Sequence, residues 1–246
     1  MFPNITVKEG AIFIADAHDC AERSFFYAFL EQLNNNPPPQ LFLMGDMVDL
    51  LVGDVAYGIE KYKNYITLID EIAKKTELFY LEGNHDFNLA SLFKYARVFS
   101  IEHQPLHINL PDGTKALVSH GDKYADGLHR FFTYLIRNHT ILSILNFLDK
   151  YSYGFISKAI EESQKRKNLC RKIENFQAVI EAKITKYPLE SITWVIEGHY
   201  HQNCQFETHG INYFNFSSFA CNQSYFSVQS SSKTQFAQMQ VRGCNG

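Results

Sequence analysis

Five apolar runs in this 246-residue chain are each followed by side chains that can bind a divalent metal ion. Each run has the length and composition of a buried β-strand, and a carboxylate, an imidazole or a carboxamide stands at or just beyond its end. In chain order these residues are Asp16, His18, Asp46, Asp49, Asn84, His85, His120, His199 and His201. If the strands share one sheet, the polar groups converge on one edge, because ligands of parallel sheets bind beyond the carboxyl ends of the strands.

This set of side chains suits a pair of metal ions. Mixed histidine, aspartate and asparagine ligation fits Mn, Fe or Zn, and it differs from the thiolate sets of structural zinc sites. A carboxylate can bridge two ions with its two oxygens. Two ions about 3.5–4 Å apart can activate a water and stabilise the entering and leaving oxygens of a displacement at phosphorus. The ordered set of motifs therefore indicates a dinuclear site suited to phosphoester chemistry.

The elements that must position these residues alternate in type along the first half of the chain. Strands are predicted over 11–16, 40–46 and 77–84, and helices over 21–35 and 59–75, because the apolar residues there recur at helical spacing. A β-α-β-α-β order predicts a substantially parallel sheet with right-handed crossovers.

The second half of the chain predicts a different mixture. Residues 107–122 form a predicted hairpin with Pro-Asp-Gly at its turn, and strand-like runs return at 192–201 and 204–216. The segment 123–190 between them is predicted to be mainly helical. We interpret it as an insertion within a single domain that spans residues 1–246.

The motifs "DAH", "GDMVD", "GNHD", "HGD" and "GHYH" occur in this order between residues 16 and 201, and together they resemble the calcineurin-like metallophosphoesterase superfamily. The resemblance implies an α/β fold, a four-layer α/β/β/α sandwich with a helical cap insertion at about 123–190. It also implies two divalent metal ions, with Mn expected and Fe, Zn or Co as alternatives. The implied ligands of one ion are Asp16, His18, Asp46 and His201. Those of the other are Asp46, Asn84, His120 and His199.

The same resemblance implies roles for two residues that do not bind metal. His85 would face the scissile phosphate, where it could stabilise the phosphorane or protonate the leaving group, and Asp49 would orient it. Asp86 has a different interpretation, as the N-terminal cap of a helix that follows it. The remaining histidines match no motif and are interpreted as structural or surface residues. They are His103, His107, His129, His139 and His209.

The insertion is unusually rich in aromatic and aliphatic residues over 128–156, and a basic stretch follows at 163–172. One interpretation is a helical pair that packs on the sandwich and exposes a charged face. The other is a cap whose apolar interior takes an acyl chain or rests in a membrane interface, while its cations bind phosphates. The cations within the apolar part are Arg130, Arg137, Lys150 and Lys158. The candidate phosphate-binding residues are Arg166, Lys167 and Arg171, with a solvated basic helix face as the alternative.

A closer resemblance comes from "LMGDMVDLLVGD", "HGD", an insertion of this length and "GHYH", which are similar to the UDP-2,3-diacylglucosamine diphosphatase branch. That branch implies cleavage of a pyrophosphate to 2,3-diacylglucosamine 1-phosphate and UMP at the inner face of a Gram-negative inner membrane. His85 departs from this branch, in which many members have Arg, and Tyr200 departs from the usual "GHTH". A soluble phosphodiesterase or phosphatase of nucleotides or phosphoproteins, and a non-catalytic binding module, remain alternatives.

Composition narrows the choice of partner and compartment. The net charge of −3 gives no bulk attraction for nucleic acid. The five cysteines are odd in number and form no CxxC pair, which argues against disulfides and favours a reducing compartment. Neither a signal peptide nor an apolar run of about 20 residues is evident. The sequence therefore predicts a cytoplasmic protein whose partner is a phosphorylated small molecule or a lipid nucleotide.

Overall fold

The computed structural model of the protein describes residues 5–20, 23–124, 136–230 and 233–241. Its strands are β1 (Ile5–Thr6), β2 (Ile12–Ile14), β3 (Gln40–Leu43), β4 (Leu51–Val52), β5 (Glu77–Leu81), β6 (Asp86–Phe87), β7 (Arg97–Phe99), β8 (Leu106–Asn109), β9 (Lys115–Ser119), β10 (Trp194–Glu197), β11 (Cys204–Thr208), β12 (Ile211–Asn215), β13 (Ser224–Ser230) and β14 (Thr234–Gln240). Its α-helices are α1 (Phe25–Asn35), α2 (Ala56–Lys61), α3 (Lys63–Ala73), α4 (His139–Tyr151), α5 (Phe155–Lys165), α6 (Phe176–Ile184) and α7 (Phe219–Asn222).

Two six-stranded sheets form the centre of the molecule. The first has the strand order β1-β8-β9-β10-β12-β11, and the second has the order β14-β13-β2-β3-β5-β7. In the second sheet β2, β3, β5 and β7 run parallel, and in the first sheet β10 runs parallel to both β9 and β12. The predicted hairpin is confirmed, since β8 and β9 pair antiparallel around the Pro-Asp-Gly turn.

The period-two alternation of the strands creates the layers. Phe13, Phe42 and Phe79 point between the two sheets, and their rings stack with centroids 4.2 and 4.6 Å apart. Their neighbours Ile14 and Leu43 point to the other face, where they pack with α1 and α3.

Helix α6 covers the outer face of the first sheet through Phe176, Ile180 and Ile184, which pack on Leu117 and Val195. The order helix, sheet, sheet, helix is therefore the four-layer α/β/β/α sandwich.

The first half contains the predicted strands and helices in order, together with the short strands β1, β4, β6 and β7, and one predicted helix is divided. The helix predicted over 59–75 is two helices, α2 and α3, which meet at the buried Tyr62. Gly58 lies so close to Leu50 that a Cβ there would be 2.9 Å from the Leu50 carbonyl oxygen. Contacts with the preceding loop thus set the start of α2, and periodicity within the helix does not report them.

The described part of the segment 123–190 is mainly helical, as predicted, and contains α4, α5 and α6. The buried carboxylate of Asp149 in α4 accepts hydrogen bonds from the backbone N–H and the hydroxyl of Ser157 in α5, at 3.0 and 2.6 Å. Glu161 in α5 pairs with Lys61 of α2 at 2.6 Å. His129 and Arg130 lie outside the described residues, and the division into one domain with an inserted cap stays a prediction.

The expectation that the cysteines form no disulfide is wrong. Cys170, just after α5, is bonded to Cys221 in α7, and their Cα atoms are 5.7 Å apart although 51 positions separate them in the chain. The count and spacing of cysteines did not reveal this pair, because the fold brings together two distant segments. The cysteine pattern therefore gives no information about the compartment.

Among the described helices, none combines the length and the apolar character that a membrane crossing requires.

Candidate metal centre

The loops after β2, β3, β5, β9 and β10 bring the predicted metal ligands together at one edge of the sheets. Ligand atoms within 4.8 Å of one another fall into three overlapping groups, which are Asp16-His18-His201, His18-Asp46-His85 and Asp46-His120-His199. Asn84 joins the third group, since its Oδ1 is 3.3 Å from Nε2 of His120. Asp46 belongs to two groups, as a bridging carboxylate would.

Short side-chain contacts in the centre join groups that could bind the same cation. Nε2 of His201 is 3.2 Å from Oδ1 of Asp16, and Nε2 of His120 is 3.5 Å from Oδ2 of Asp46. Nδ1 of His199 is 3.2 Å from Nε2 of His120. Asp16, Asp46 and His120 are each at most 2% exposed. Anionic and imidazole ligands thus converge in a largely dry setting.

The backbone at these positions is strained. Asp16, His18, Asp46, His199 and His201 have φ values of 53°, 42°, 57°, 62° and 59°. Side chains other than glycine rarely adopt this left-handed region, and each such residue costs on the order of 1–3 kcal/mol. Such strain persists where the surroundings enforce it, and it is concentrated at functional sites.

Glycines next to the ligands make room for them. A Cβ at Gly83 would overlap the carboxylate of Asp46, and one at Gly198 would be 2.5 Å from Oδ2 of Asp16. Gly83 and Gly198 therefore occupy positions where the ligand carboxylates leave no space for a side chain.

Hydrogen bonds to backbone carbonyl oxygens orient the imidazole rings. Nδ1 of His120 lies 2.9 Å from the carbonyl oxygen of Met44, and Nδ1 of His201 lies 2.6 Å from that of Leu169. Burial opposes protonation, but Asp46 raises the pKa of His120 to about 9 and Asp16 raises the pKa of His201, so a bound cation would replace the Nε2 proton. In the neutral ring, an Nδ1–H that donates to a carbonyl leaves Nε2 with a lone pair. This is the tautomer that binds a metal through Nε2, and the carbonyl partner is the usual support for it.

The surroundings of His18 indicate whether these residues could bind a metal ion. The His18 ring is 2% exposed, and among the described residues neither ring nitrogen has a hydrogen-bond partner. Burial lowers the pKa of His18 well below its ordinary value, so the imidazole is neutral and keeps a lone pair. An unpaired buried polar atom costs about 1–3 kcal/mol. A cation bound between His18 and its neighbouring carboxylates would remove that cost, so the residues fit a metal.

The charge of Asp46 also suits a bound cation. Burial opposes its ionisation, but the imidazoles of His120 and His85 together with the His85 backbone N–H hold its pKa below the ordinary range. Asp46 is therefore anionic at neutral pH, as a metal ligand would have to be.

His85 and Asp49 are in contact, but not through the expected group. Nδ1 of His85 lies 2.8 Å from the carbonyl oxygen of Asp49. The Asp49 carboxylate instead accepts two hydrogen bonds from Arg23, at 2.9 and 3.1 Å. Arg23 also donates to the carbonyl oxygen of His18 at 3.0 Å. Sequence reasoning missed Arg23, which stands in the predicted helix 21–35 and belongs to no motif.

The predicted capping role of Asp86 is wrong, since no helix follows it in residues 88–96. Its fully buried carboxylate accepts hydrogen bonds from the backbone N–H groups of Asp46, Met47 and Gly83, at 2.9, 2.7 and 2.9 Å, and from the Tyr80 hydroxyl at 2.7 Å. Asp86 thus ties the loop that carries Asp46 to the loop that carries Asn84.

A cleft of about 690 Å³ opens above the centre, and His18, Asp46, Asn84, His85, His199 and His201 form its base. Lys167 and Arg171 line its wall, as a phosphate-binding role requires. Arg166 does not line it, because its exposed side chain turns toward Glu162, with Nη2 3.5 Å from Oε1.

The described histidines that match no motif lie elsewhere. His103, His139 and His209 contact Ser100, Asp54 and Thr208, and His107 is on the surface.

Comparison with known proteins gives one family match that spans most of the chain. Residues 11–203 match the family model described as calcineurin-like phosphoesterase. A curated protein of Blochmanniella floridana, named UDP-2,3-diacylglucosamine hydrolase, is 30% identical over 116 residues, which are 45% of this chain and 46% of that protein. The aligned region thus spans about half the length of that relative.

Two solved structures are also similar. One is a conserved uncharacterized protein, a predicted phosphoesterase, from Streptococcus pneumoniae, with 15% identity, a TM-score of 0.44 and coverage of 95% of this chain and 90% of that one. The other is a novel archaeal phosphodiesterase, with 12% identity, a TM-score of 0.46 and coverage of 94% and 99%.

Proposed function

This chain belongs to the calcineurin-like phosphoesterase family and is a metal-dependent phosphoesterase, and from this premise we propose that it cleaves the pyrophosphate of UDP-2,3-diacylglucosamine. The products would be 2,3-diacylglucosamine 1-phosphate and UMP. The relative of that name, similar over about half of its length, supports this substrate.

The observation that carries the proposal is the apolar exposure of α4, α5 and their connection. The most exposed large side chains are Phe147 at 67%, Tyr151 at 82%, Tyr153 at 90% and Phe155 at 70%. Soluble proteins rarely expose so much apolar surface in one place unless it binds something. Two acyl chains, or the lipid surface that contains them, match this face in chemistry.

The cleft complements the other end of such a substrate. Lys167 and Arg171 present positive charge on its wall, opposite the His and Asp residues of its base. Charge-assisted hydrogen bonds to phosphate oxygens are among the strong ones, and Arg can make two in parallel. A diphosphate could thus be held between these cations and the metal centre, with its lipid end toward α4 and α5.

In the proposed metal centre Asp16, His18, Asp46 and His201 would hold one divalent ion, and Asp46, Asn84, His120 and His199 the other. Mn is the proposed metal, with Fe, Zn or Co as alternatives. When bound, the ions would supply an activated water and neutralise the phosphate charge. His85 would stabilise the negative charge that develops on the phosphoryl oxygens or give a proton to the departing phosphate oxygen, and its Nδ1 contact with Asp49 would fix the ring for that task.

The test is UMP release from UDP-2,3-diacylglucosamine in detergent with added Mn. A soluble nucleotide diester serves as the comparison substrate, and Asp46→Asn as the inactive control. Release from the lipid alone is expected. Replacing Phe147 and Tyr151 by Ser should then raise KM for the lipid but leave turnover of a short-chain analogue unchanged.

One observation favours a second candidate, a soluble phosphodiesterase or phosphatase. Residue 85 is His, the wider superfamily pattern, and not the Arg of many members of the lipid branch. Turnover of the soluble diester without any response to acyl chains would establish this candidate and refute the lipid substrate.

We also propose that the protein works as a peripheral protein at the inner face of the inner membrane, where such a substrate is available. Sedimentation with liposomes tests this, and the Phe147 and Tyr151 variants should stay in the supernatant.

A further inference from the structure

Lys183 is a buried lysine on α6 that belongs to no motif. It is 5% exposed, and its ammonium group donates to three oxygens. These are the carbonyl oxygen of Gly121 at 2.6 Å and the carboxylate oxygens of Glu197 at 2.8 and 2.9 Å. All three protons of the ammonium group are therefore used, and the group has a fixed position.

The two partners of Lys183 lie next to candidate metal ligands. Gly121 follows His120, and Glu197 is the last residue of β10, two positions before His199. The two segments also touch directly, since the Gly198 backbone N–H donates to the His120 carbonyl oxygen at 3.0 Å. Lys183 thus connects the segment that carries His120 to the segment that carries His199.

The carboxylate of Glu197 is satisfied by more than this lysine. It is fully buried and also accepts hydrogen bonds from the hydroxyls of Ser119 at 3.0 Å, Tyr213 at 2.9 Å and Tyr187. A buried ion pair contributes little net stability compared with apolar residues of equal size. A complete hydrogen-bond network around such a pair serves instead to hold one arrangement of the elements that it joins.

We propose that Lys183 is a positioning residue for the metal centre, because its ammonium group fixes the separation of His120 and His199 and thereby sets the affinity of that half of the centre. The inference rests on the metal centre of the proposed function and not on its lipid substrate. It also assigns α6 a second task, since the helix that packs on the sheet through Phe176 and Ile180 anchors the ligand loops through Lys183.

The contacts of Lys183 lie nearer to the candidate ligands of one ion than to those of the other. Among the hydrogen bonds of the described residues, Lys183 contacts Gly121 beside His120 and Glu197 near His199, and makes none with Asp16, His18 or His201. His201 follows His199 in the same loop, and the His199 backbone N–H donates to the Asp16 carboxylate at 2.9 and 3.1 Å. Loss of the ammonium group should therefore weaken the ion at His120 and His199 much more than the other ion.

The experiment is a calorimetric titration of Mn²⁺ into metal-free protein, with metal content measured by mass spectrometry. Lys183→Met keeps the length of the side chain but removes the charge. We expect two binding steps in the unaltered protein, and in the variant one step at least tenfold weaker and the other within about twofold. Glu197→Gln, which keeps the shape of the carboxylate, should weaken the same step, and it serves if Lys183→Met does not fold.

Ile180→Ala on the same helix is the matched control, since it opens a cavity in the same core but removes no hydrogen bond of the network. It should lower the melting temperature and leave both binding steps intact. The proposal is overturned if Lys183→Met and Glu197→Gln leave both steps unchanged, or if they weaken both steps equally. Absence of UMP release from a protein with the expected titration would refute the lipid substrate alone.

Discussion

His85 lies at the base of the cleft with one nitrogen anchored and the other available to a substrate. Nδ1 contacts the Asp49 carbonyl oxygen at 2.8 Å, and the side chain is 7% exposed. Its neighbour Asn84 contacts His120, which belongs to the ligand set, at 3.3 Å. Two adjacent residues of one motif are thus placed for different tasks.

We predict that His85→Ala lowers kcat by about 10²–10⁴-fold, the usual contribution of a positioned acid or base. Metal content should stay near two ions per chain. Steady-state kinetics and elemental analysis of the same preparation measure both quantities. His103→Ala, which changes a histidine remote from the cleft, is the control. If His85→Ala instead loses both ions, the residue is a ligand and the assigned role is wrong.

At the scale of single residues, the sequence predicts the candidate metal ligands but not the residues that hold them in place. Asp16, His18 and Asp46 could be recognised because a polar residue at the end of an apolar run has few structural reasons to be there. Arg23 and Asp86 could not, since their partners are backbone groups of other loops. Glu197 did leave a signal, as an acid at the end of "WVIE", but the lysine that pairs with it is 14 positions away on a helix.

At the scale of elements, the connection between α5 and α6 forms part of the wall of the cleft. It contains Leu169, whose carbonyl oxygen holds His201, and Arg171. Cys170 between them is bonded to Cys221 of α7. Helix α7 is in turn attached to the first ligand loop, because the Ala220 backbone N–H donates to the Asp16 carbonyl oxygen at 3.2 Å. The disulfide thus connects the wall of the cleft, through α7, to the loop that carries Asp16 and His18.

We predict that reduction of this disulfide by a dithiol destabilises the protein and loosens the wall. In the chain-entropy model, a disulfide that closes a segment of 51 residues stabilises the fold by about 4 kcal/mol. This figure is the upper limit for the stability lost on reduction. The rate of amide hydrogen exchange at residues 168–174 should increase. The ion that His201 would help to bind should be bound more weakly.

Cys170→Ser is the matched control for that experiment, since reductant should change neither its melting temperature nor its exchange rates. Cys204→Ser, which removes a cysteine outside the disulfide, should respond to reductant like the unaltered protein. An equal response of Cys170→Ser to the reductant would contradict the prediction.

The main strands and helices and the hairpin pairing followed from periodicity and turn residues, but the ends of the helices and the cysteine pairing did not. The pattern over 59–75 is continuous, yet the chain breaks it into α2 and α3 at Tyr62. The start of α2 is set by the packing of Gly58 against Leu50, and the pairing of Cys170 with Cys221 likewise depends on tertiary structure. Neither is encoded in a local window of sequence.

At the scale of the whole molecule, the metal centre lies where both sheets end. The candidate ligands follow β2, β3 and β5 of one sheet and β9 and β10 of the other. The family resemblance was enough to predict the four layers, whereas the sequence left open whether the apolar residues of 128–156 are packed or exposed, and in α4 and α5 several of them are exposed. Metal bound at such a position would hold the two sheets together.

We therefore predict that divalent metal stabilises the entire fold. A ligand that binds only the folded state adds about 2.7 kcal/mol at a concentration 100 times its Kd. Mn should raise the melting temperature in scanning calorimetry, and EDTA should reverse the rise. Asp46→Asn should abolish most of the response because Asp46 belongs to two ligand groups. Asp112→Asn, in the hairpin turn between β8 and β9, should keep the full response. An unchanged response in Asp46→Asn would mean that the stabilising metal binds elsewhere.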